Sequence, residues 1–267
     1  MLDLTCIAPT AASGLGLPPP RNAEGGALAQ VVADLKGCDR LAIVVLDALG
    51  MATWRAARER MPTFKRMADR HLIQLRSVRP PVTPVCFATI ATGARPETHG
   101  VRERTDAFKA ETIFEVARKH GRTSGVAGGA GCSATMVLGR WSDVTRRVGS
   151  DGEERDGLIL TASLRILAED RPDLFFTQFV ALDSASHRYG PFSSQAVAAA
   201  ETLDARFGLL LSAACGKGYG VLALADHGQH PVLQADGKTK GWHDDTTEES
   251  MIIPLVWVAP GERTVAR

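Results

Sequence analysis

Unbroken apolar runs recur along the chain and several of them end in the same way. Residues 41–46 and 221–225 are uniformly apolar, the pattern of strands buried on both faces of a sheet that helices cover. Further strands are predicted over 72–78, 123–127, 173–182 and 251–258, the last at a sheet edge because Pro254 lacks a donor. Helical patterning covers 27–35, 52–60, 62–70, 82–93, 111–120, 158–169 and 195–214, with Pro62 suited to a first helical turn. Residues 13–26 are rich in Gly and Pro and read as an irregular lead-in, and 234–247 read as a polar loop. Together these elements predict a single α/β domain over 1–267, a three-layer α/β/α sandwich with a mostly parallel central sheet. Glycine and charge crowd the stretch from about 131 to 157, which is the candidate for a small cap.

Composition narrows the class. A chain of 267 residues with 45% hydrophobic content is long enough to bury a full core. Its formal charge of +1 gives no reason to expect nucleic acid or an anionic membrane as a partner. Five cysteines are scattered without a Cys-x-x-Cys pair, which fits a reducing compartment and argues against a thiolate zinc site. The N-terminus makes a poor signal peptide, and no run approaches the ~20 apolar residues of a membrane span. A cytoplasmic protein is expected; the oligomeric state is not legible.

The chemistry gathers where the strands stop. The first apolar run ends at Asp47 and Gly50, the later one at Asp226-His227-Gly228, and the strand over 173–182 leads into Asp183 and His187, four apart and so on one side of a helical turn. An acid after a strand is commonly only the cap of the next helix. Repetition of the ending favours a ligand site beyond the carboxyl ends of the strands. Thr83 is predicted at the N-cap of the helix over 82–93, where a hydroxyl can cap free N–H groups or face a bound anion. With His243 in the polar loop, three carboxylates, three imidazoles and one hydroxyl exceed what one divalent ion takes, so two ions fit better. Ala127-Gly-Gly-Ala-Gly131 lacks the Lys-Ser/Thr ending of a phosphate loop and is read as a turn.

In order along the chain, Leu46-Asp47-Ala-Leu-Gly50, Thr83 with Gly93 and Pro96-Glu-Thr-His-Gly100 behind it, Asp183-x-x-x-His187-x-x-Gly190-Pro191, Ala225-Asp-His-Gly228, and His243 ahead of Ile253-Pro-Leu255 resemble the alkaline phosphatase superfamily, in its type I phosphodiesterase/nucleotide pyrophosphatase branch. The resemblance implies a phosphohydrolase acting on small-molecule phosphate esters, with Asp183, His187 and His243 on one zinc and Asp47, Asp226 and His227 on a second that also takes the Thr83 oxygen. It implies Thr83 as nucleophile and a phosphothreonine intermediate; manganese or iron would also suit these ligands. Cys86-Phe-Ala-Thr-Ile90 does not match the sulfatase motif. The nucleotide diesterase branch usually has an Asn soon after its His-Gly pair, whereas Arg102 and Arg104 follow here, as surface residues or as a fork for the extra charge of a monoester. Trp242 is a candidate pocket wall. A phosphate monoesterase, a phosphonate hydrolase, and a catalytically silent metal-binding relative are the alternative readings.

Overall fold

Both uniformly apolar runs lie at the centre of one sheet. The computed structural model describes residues 2–149 and 154–262. In chain order it contains α1 (Ile7–Gly14), α2 (Ala29–Leu35), β1 (Arg40–Leu46), α3 (Met51–Ala57), α4 (Pro62–Ala68) and β2 (Leu72–Arg76). Then come α5 (Thr83–Thr92), α6 (Pro96–His99), α7 (Ile113–Lys119), β3 (Ser124–Gly129), β4 (Val144–Val148) and α8 (Arg155–Arg165). The remainder is β5 (Leu174–Phe179), α9 (Ala181–Tyr189), α10 (Ser194–Gly216), β6 (Tyr219–Leu224), the hairpin β7 (His230–Leu233) and β8 (Thr239–Trp242), α11 (Glu248–Met251) and β9 (Ile252–Val258).

Seven strands form the main sheet in the order β2-β9-β6-β1-β5-β3-β4. Leu41 pairs with Leu174 on one side and with Gly220 on the other, so β1 runs parallel between β5 and β6. Only β9 runs against its neighbours. The carboxyl ends of β1, β5 and β6 therefore share one rim, where open α/β sheets carry their ligands. Helices α3, α4, α8 and α10 cover one face, and α1, α2, α5 and α7 pack together on the other. This is the predicted layering, and it explains why every residue of β5 and β6 is buried.

The core fixes α5 with particular firmness. All ten of its residues are buried, as expected for a helix apolar on every side. Phe87 of α5 and Phe114 of α7 pack on Phe176 of β5, with ring centroids 5.6 and 6.4 Å apart. Gly93, in the left-handed region at φ 70°, ends the helix.

Three stretches depart from the sequence reading. Pro254 lies in β9, which is interior: its carbonyl meets the N–H of Ala225, beyond the last residue of β6. Pro254 thus stands opposite the residue where that ladder ends, so its missing donor removes one terminal bond and leaves the rest of the ladder intact. The polar loop holds β8, which pairs with β7 in a hairpin, His230 to Trp242 through Leu233 to Thr239. Within 131–157, residues 144–148 are β4, the edge of the main sheet, parallel to β3, and Ala134–Leu138 form a wide helical turn against β3 and β5; residues 150–153 lie outside the described part. The glycine-rich segment continues β3 to Gly129 before turning.

Candidate metal centre

Strand β1 runs directly into Asp47, and its neighbour β6 runs into Asp226 and His227. Parallel pairing thus delivers three metal-competent side chains to one point. Asp47 Oδ1 lies 3.6 Å and Asp226 Oδ2 3.5 Å from His227 Nε2. Both oxygens are buried without a hydrogen-bond partner. The other oxygen of each carboxylate is held: Gln178 Nε2 donates to Asp47 Oδ2 at 2.6 Å, and the N–H groups of His227 and Ala48 donate to Asp226 Oδ1 at 3.0 and 3.4 Å. Ala48 adopts φ 63° to do so, a left-handed conformation that costs a non-glycine residue about 1–3 kcal/mol.

Thr83 is the first residue of α5, and Val82 occupies the cap position with no side-chain bond to the helix. The expected capping role is therefore absent. Instead Thr83 Oγ1 lies 3.3 Å from His227 Nε2, at the positive end of the α5 dipole.

The second group comes from the other side of β1. Asp183 and His187 stand one turn apart on α9, with His187 Nε2 3.3 Å from Asp183 Oδ1. Gln229 Nε2 donates to Asp183 Oδ1 at 2.6 Å. His243 enters directly after β8, its ring stacked on His227 at 4.0 Å between centroids and 5.1 Å from His187. Two trios hold their donor atoms within 4.8 Å of one another: Asp47, Asp226 and His227, and Asp183, His227 and His243. The first is the predicted set. In the second His227 stands where His187 was expected, and His187 adjoins it through Asp183.

All three imidazoles are oriented by the main chain. The Nδ1 atoms of His187, His227 and His243 meet the carbonyls of Gly241, Gly228 and Pro81 at 3.0, 3.1 and 2.8 Å. A carbonyl only accepts, so each Nδ1 carries the proton; Nε2 of His227 and of His243 presents a lone pair to the cluster, while Nε2 of His187 faces the Asp183 carboxylate. Gly228 and Gly241 leave no space for a side chain: a Cβ would collide with the Glu249 carbonyl at the first, and with Gln229 Oε1 and the Ser186 carbonyl at the second.

Charge points the same way. Burial, and then the charges of Asp226 and Asp183, hold the Asp47 carboxyl well above the usual range, and burial raises Asp226. Burial pushes Asp183 up too, but its hydrogen bond to His187 and the nearby imidazoles outweigh this and leave it lowered. His243 is pushed down to about 3, by burial and then by His227, while its bond to Asp183 raises His187. Three buried or half-buried carboxylates converging on one point form a site that positive charge would relieve. The two unpartnered oxygens and the free Nε2 of His227 are the atoms a divalent cation would take, and an all-oxygen-and-nitrogen donor set suits zinc, manganese or iron.

The candidate substrate residues separate. Arg102 is exposed and uses its backbone N–H on Asp106 Oδ2. Arg104 is exposed too, but it donates from Nε to Oγ of the buried Ser133 at 3.3 Å. Ser133 precedes Ala134, whose N–H donates to Gln178 Oε1, so Arg104 is two residues removed from the support of Asp47. Trp242 is 56% exposed and lies over His243 at 6.1 Å, at the mouth of the site. Gln178 and Gln229 escaped the sequence reading. The signal was a lone amide within an apolar strand in the first case, and a polar residue just past Asp226-His227-Gly228 in the second.

A family model described as type I phosphodiesterase / nucleotide pyrophosphatase matches residues 41–264. No curated protein matches the chain. Among solved structures, phosphonoacetate hydrolase from Sinorhizobium meliloti, in complex with phosphonoformate, is 23% identical with a TM-score of 0.62 over 75% of this chain and 59% of its own. The chain thus spans less than two thirds of that protein. An inactive form of murine ectonucleotide pyrophosphatase/phosphodiesterase 5, in complex with AMP, is 13% identical with a TM-score of 0.66, over 83% and 88% of the two chains. The C-terminal periplasmic domain of EptC from Escherichia coli, in complex with Zn, is 16% identical with a TM-score of 0.60, over 93% and 79%. At these identities the likeness is one of fold.

Proposed function

This chain belongs to the type I phosphodiesterase / nucleotide pyrophosphatase family, and from that premise we propose that it is a hydrolase of phosphoric ester bonds, with Thr83 as nucleophile and two zinc ions as cofactors. Asp47, Asp226 and His227 would hold one ion, and Asp183, His187 and His243 the other. Bound there, divalent cations lower the pKa of a hydroxyl and neutralise charge on a transferring phosphoryl group. The chain's own part is positioning. Thr83 Oγ1 forms a bond to phosphorus as the bond to the leaving oxygen breaks, and water then cleaves the phosphothreonine and restores the hydroxyl. Burial of the whole of α5 keeps that oxygen in register with the cluster. Cys6, Cys38, Cys86 and Cys132 are buried free thiols, in keeping with the proposed reducing, cytoplasmic compartment.

One observation carries the reading. Asp47 Oδ1 and Asp226 Oδ2, both buried and unpartnered, face His227 Nε2, and Thr83 Oγ1 stands 3.3 Å from that same nitrogen. The test is hydrolysis of p-nitrophenyl monoester, diester and phosphonate substrates by the zinc-loaded protein and by Thr83→Ala. Thr83→Ala is expected to lose at least about a thousandfold in kcat/KM. Equal inertness of both proteins, with two metal ions bound to each, would favour a silent metal-binding role.

A monoester or phosphonate is the second reading of the substrate, and Arg104 favours it: its guanidinium is drawn to Ser133, beside the support of Asp47. A dianionic phosphoryl group carries the extra charge that a guanidinium binds. Arg104→Ala is expected to depress monoesterase activity at least about tenfold more than diesterase activity, the order of one charge-assisted hydrogen bond. Equal losses on both substrates would restore the diester as the natural class.

A further inference from the structure

A cleft of about 650 Å³ lies between α8, α9 and α10. Three guanidinium groups line it, Arg155 from α8, Arg188 from α9 and Arg206 from α10, and among the described residues no carboxylate does. The rest of the lining is uncharged, and includes Ser184, Gln195 and Thr202. The cleft is distinct from the metal centre although it shares a helix with it. Ala181, Ser184, Ala185 and Arg188 recur at helical spacing on the cleft face of α9, while Asp183 and His187 point from another.

The three arginines are short of partners. None forms an ion pair among the described residues. The acid whose charge reaches Arg206 and Arg155 is Asp156, which is buried and has both carboxylate oxygens occupied by the N–H groups of Val180 and Ala181, each at 3.0 Å. Arg155 donates from one terminal nitrogen to Ser184 Oγ at 3.2 Å, but its Nε is buried and unpartnered. Arg188 lies 5.1 Å from the Tyr189 ring, which leaves its fork of donors free. Three like charges around one open cleft repel one another, and an anion among them reverses the sign of that energy. Guanidinium groups match the paired oxygens of phosphate and carboxylate.

We propose that this cleft is a second anion site, separate from the metal centre and independent of the reaction proposed for it, that takes a small polyanion with at least two negative charges on phosphate or carboxylate oxygens. The experiment is calorimetric titration of the full chain with pyrophosphate and, separately, citrate. Metal is first stripped by a chelator that is then dialysed away, so that no bound cation draws anions to the metal centre and the cleft alone reports. One equivalent of at least one probe is expected to bind, and to bind more weakly as salt is raised. The probe that binds more tightly identifies phosphate or carboxylate as the preferred group. Arg188→Ala combined with Arg206→Ala is expected to weaken binding at least tenfold. Thr202→Glu, which sets a carboxylate in the cleft at an exposed position, is expected to do the same without removing an arginine. Failure of both probes to bind the wild type, or unchanged affinity in both variants, would overturn the proposal.

Discussion

An amide inside an apolar strand has to find partners, and Gln178 finds one on each side of its amide group. It donates to Asp47 Oδ2 and accepts from the N–H of Ala134. This ties a carboxylate at the end of β1 to the turn that follows β3. Gln178→Leu keeps the volume and removes both bonds, so Asp47 loses the contact that aims its free oxygen at His227. Loss of such a support typically weakens metal binding 10–100-fold, and a zinc titration of the stripped variant is expected to show a drop of about that size. An unchanged affinity would mean that the β1 backbone alone aims Asp47. Most of the candidate ligands were legible in the sequence because they stand just past an apolar run or one helical turn beyond it; His243, in a polar stretch, bears no such mark. Their supports were not: Gln178, Gln229 and the carbonyls of Pro81, Gly228 and Gly241 are chosen by tertiary contact, which leaves no local pattern.

Elements follow the same division. Strands β1, β5 and β6 could be read directly, because burial on both faces demands continuous apolar side chains. The β7–β8 hairpin could not, since only Gly241 of β8 is buried and short exposed strands have no face to declare. Pro254 misled for a related reason. A missing donor is tolerated in a sheet interior where it falls at the end of a ladder, as Pro254 does opposite Ala225 just beyond β6. Helix α5 is the element on which the proposed nucleophile depends, and the largest side chain it sends into the core is Phe87, packed on Phe176. Truncation of a fully buried Phe costs about 3–5 kcal/mol. Phe87→Ala is expected to lower the urea midpoint accordingly, and a loss below about 1 kcal/mol would show that α5 is held by other contacts.

At the scale of the whole molecule, stability on acidification rests in part on a histidine outside the metal centre. His99 is fully buried, accepts from the N–H of Val101 at Nδ1 and faces Thr89 Oγ1 with Nε2. A second proton would have to displace the Val101 bond. Burial, and then the charge of Arg102, lower its pKa from 6.5 to about 4. The unfolded chain takes up that proton near 6.5, whereas the folded chain refuses it until about 4, so stability falls as pH drops through that window, by up to about 3 kcal/mol. Denaturant unfolding at pH 7.5 and 4.5 is expected to show a smaller acid loss in His99→Gln than in the wild type; parallel losses would assign the acid sensitivity to other groups. The strand order has a consequence of its own. Since β1 lies between two strands made much later in the chain, only a fragment running from residue 47 to residue 227 brings Asp47, Asp226 and His227 together. In a refolding experiment metal capture by that trio would therefore trail the closure of the sheet, and the ion would serve as a timer for the last long-range pairing.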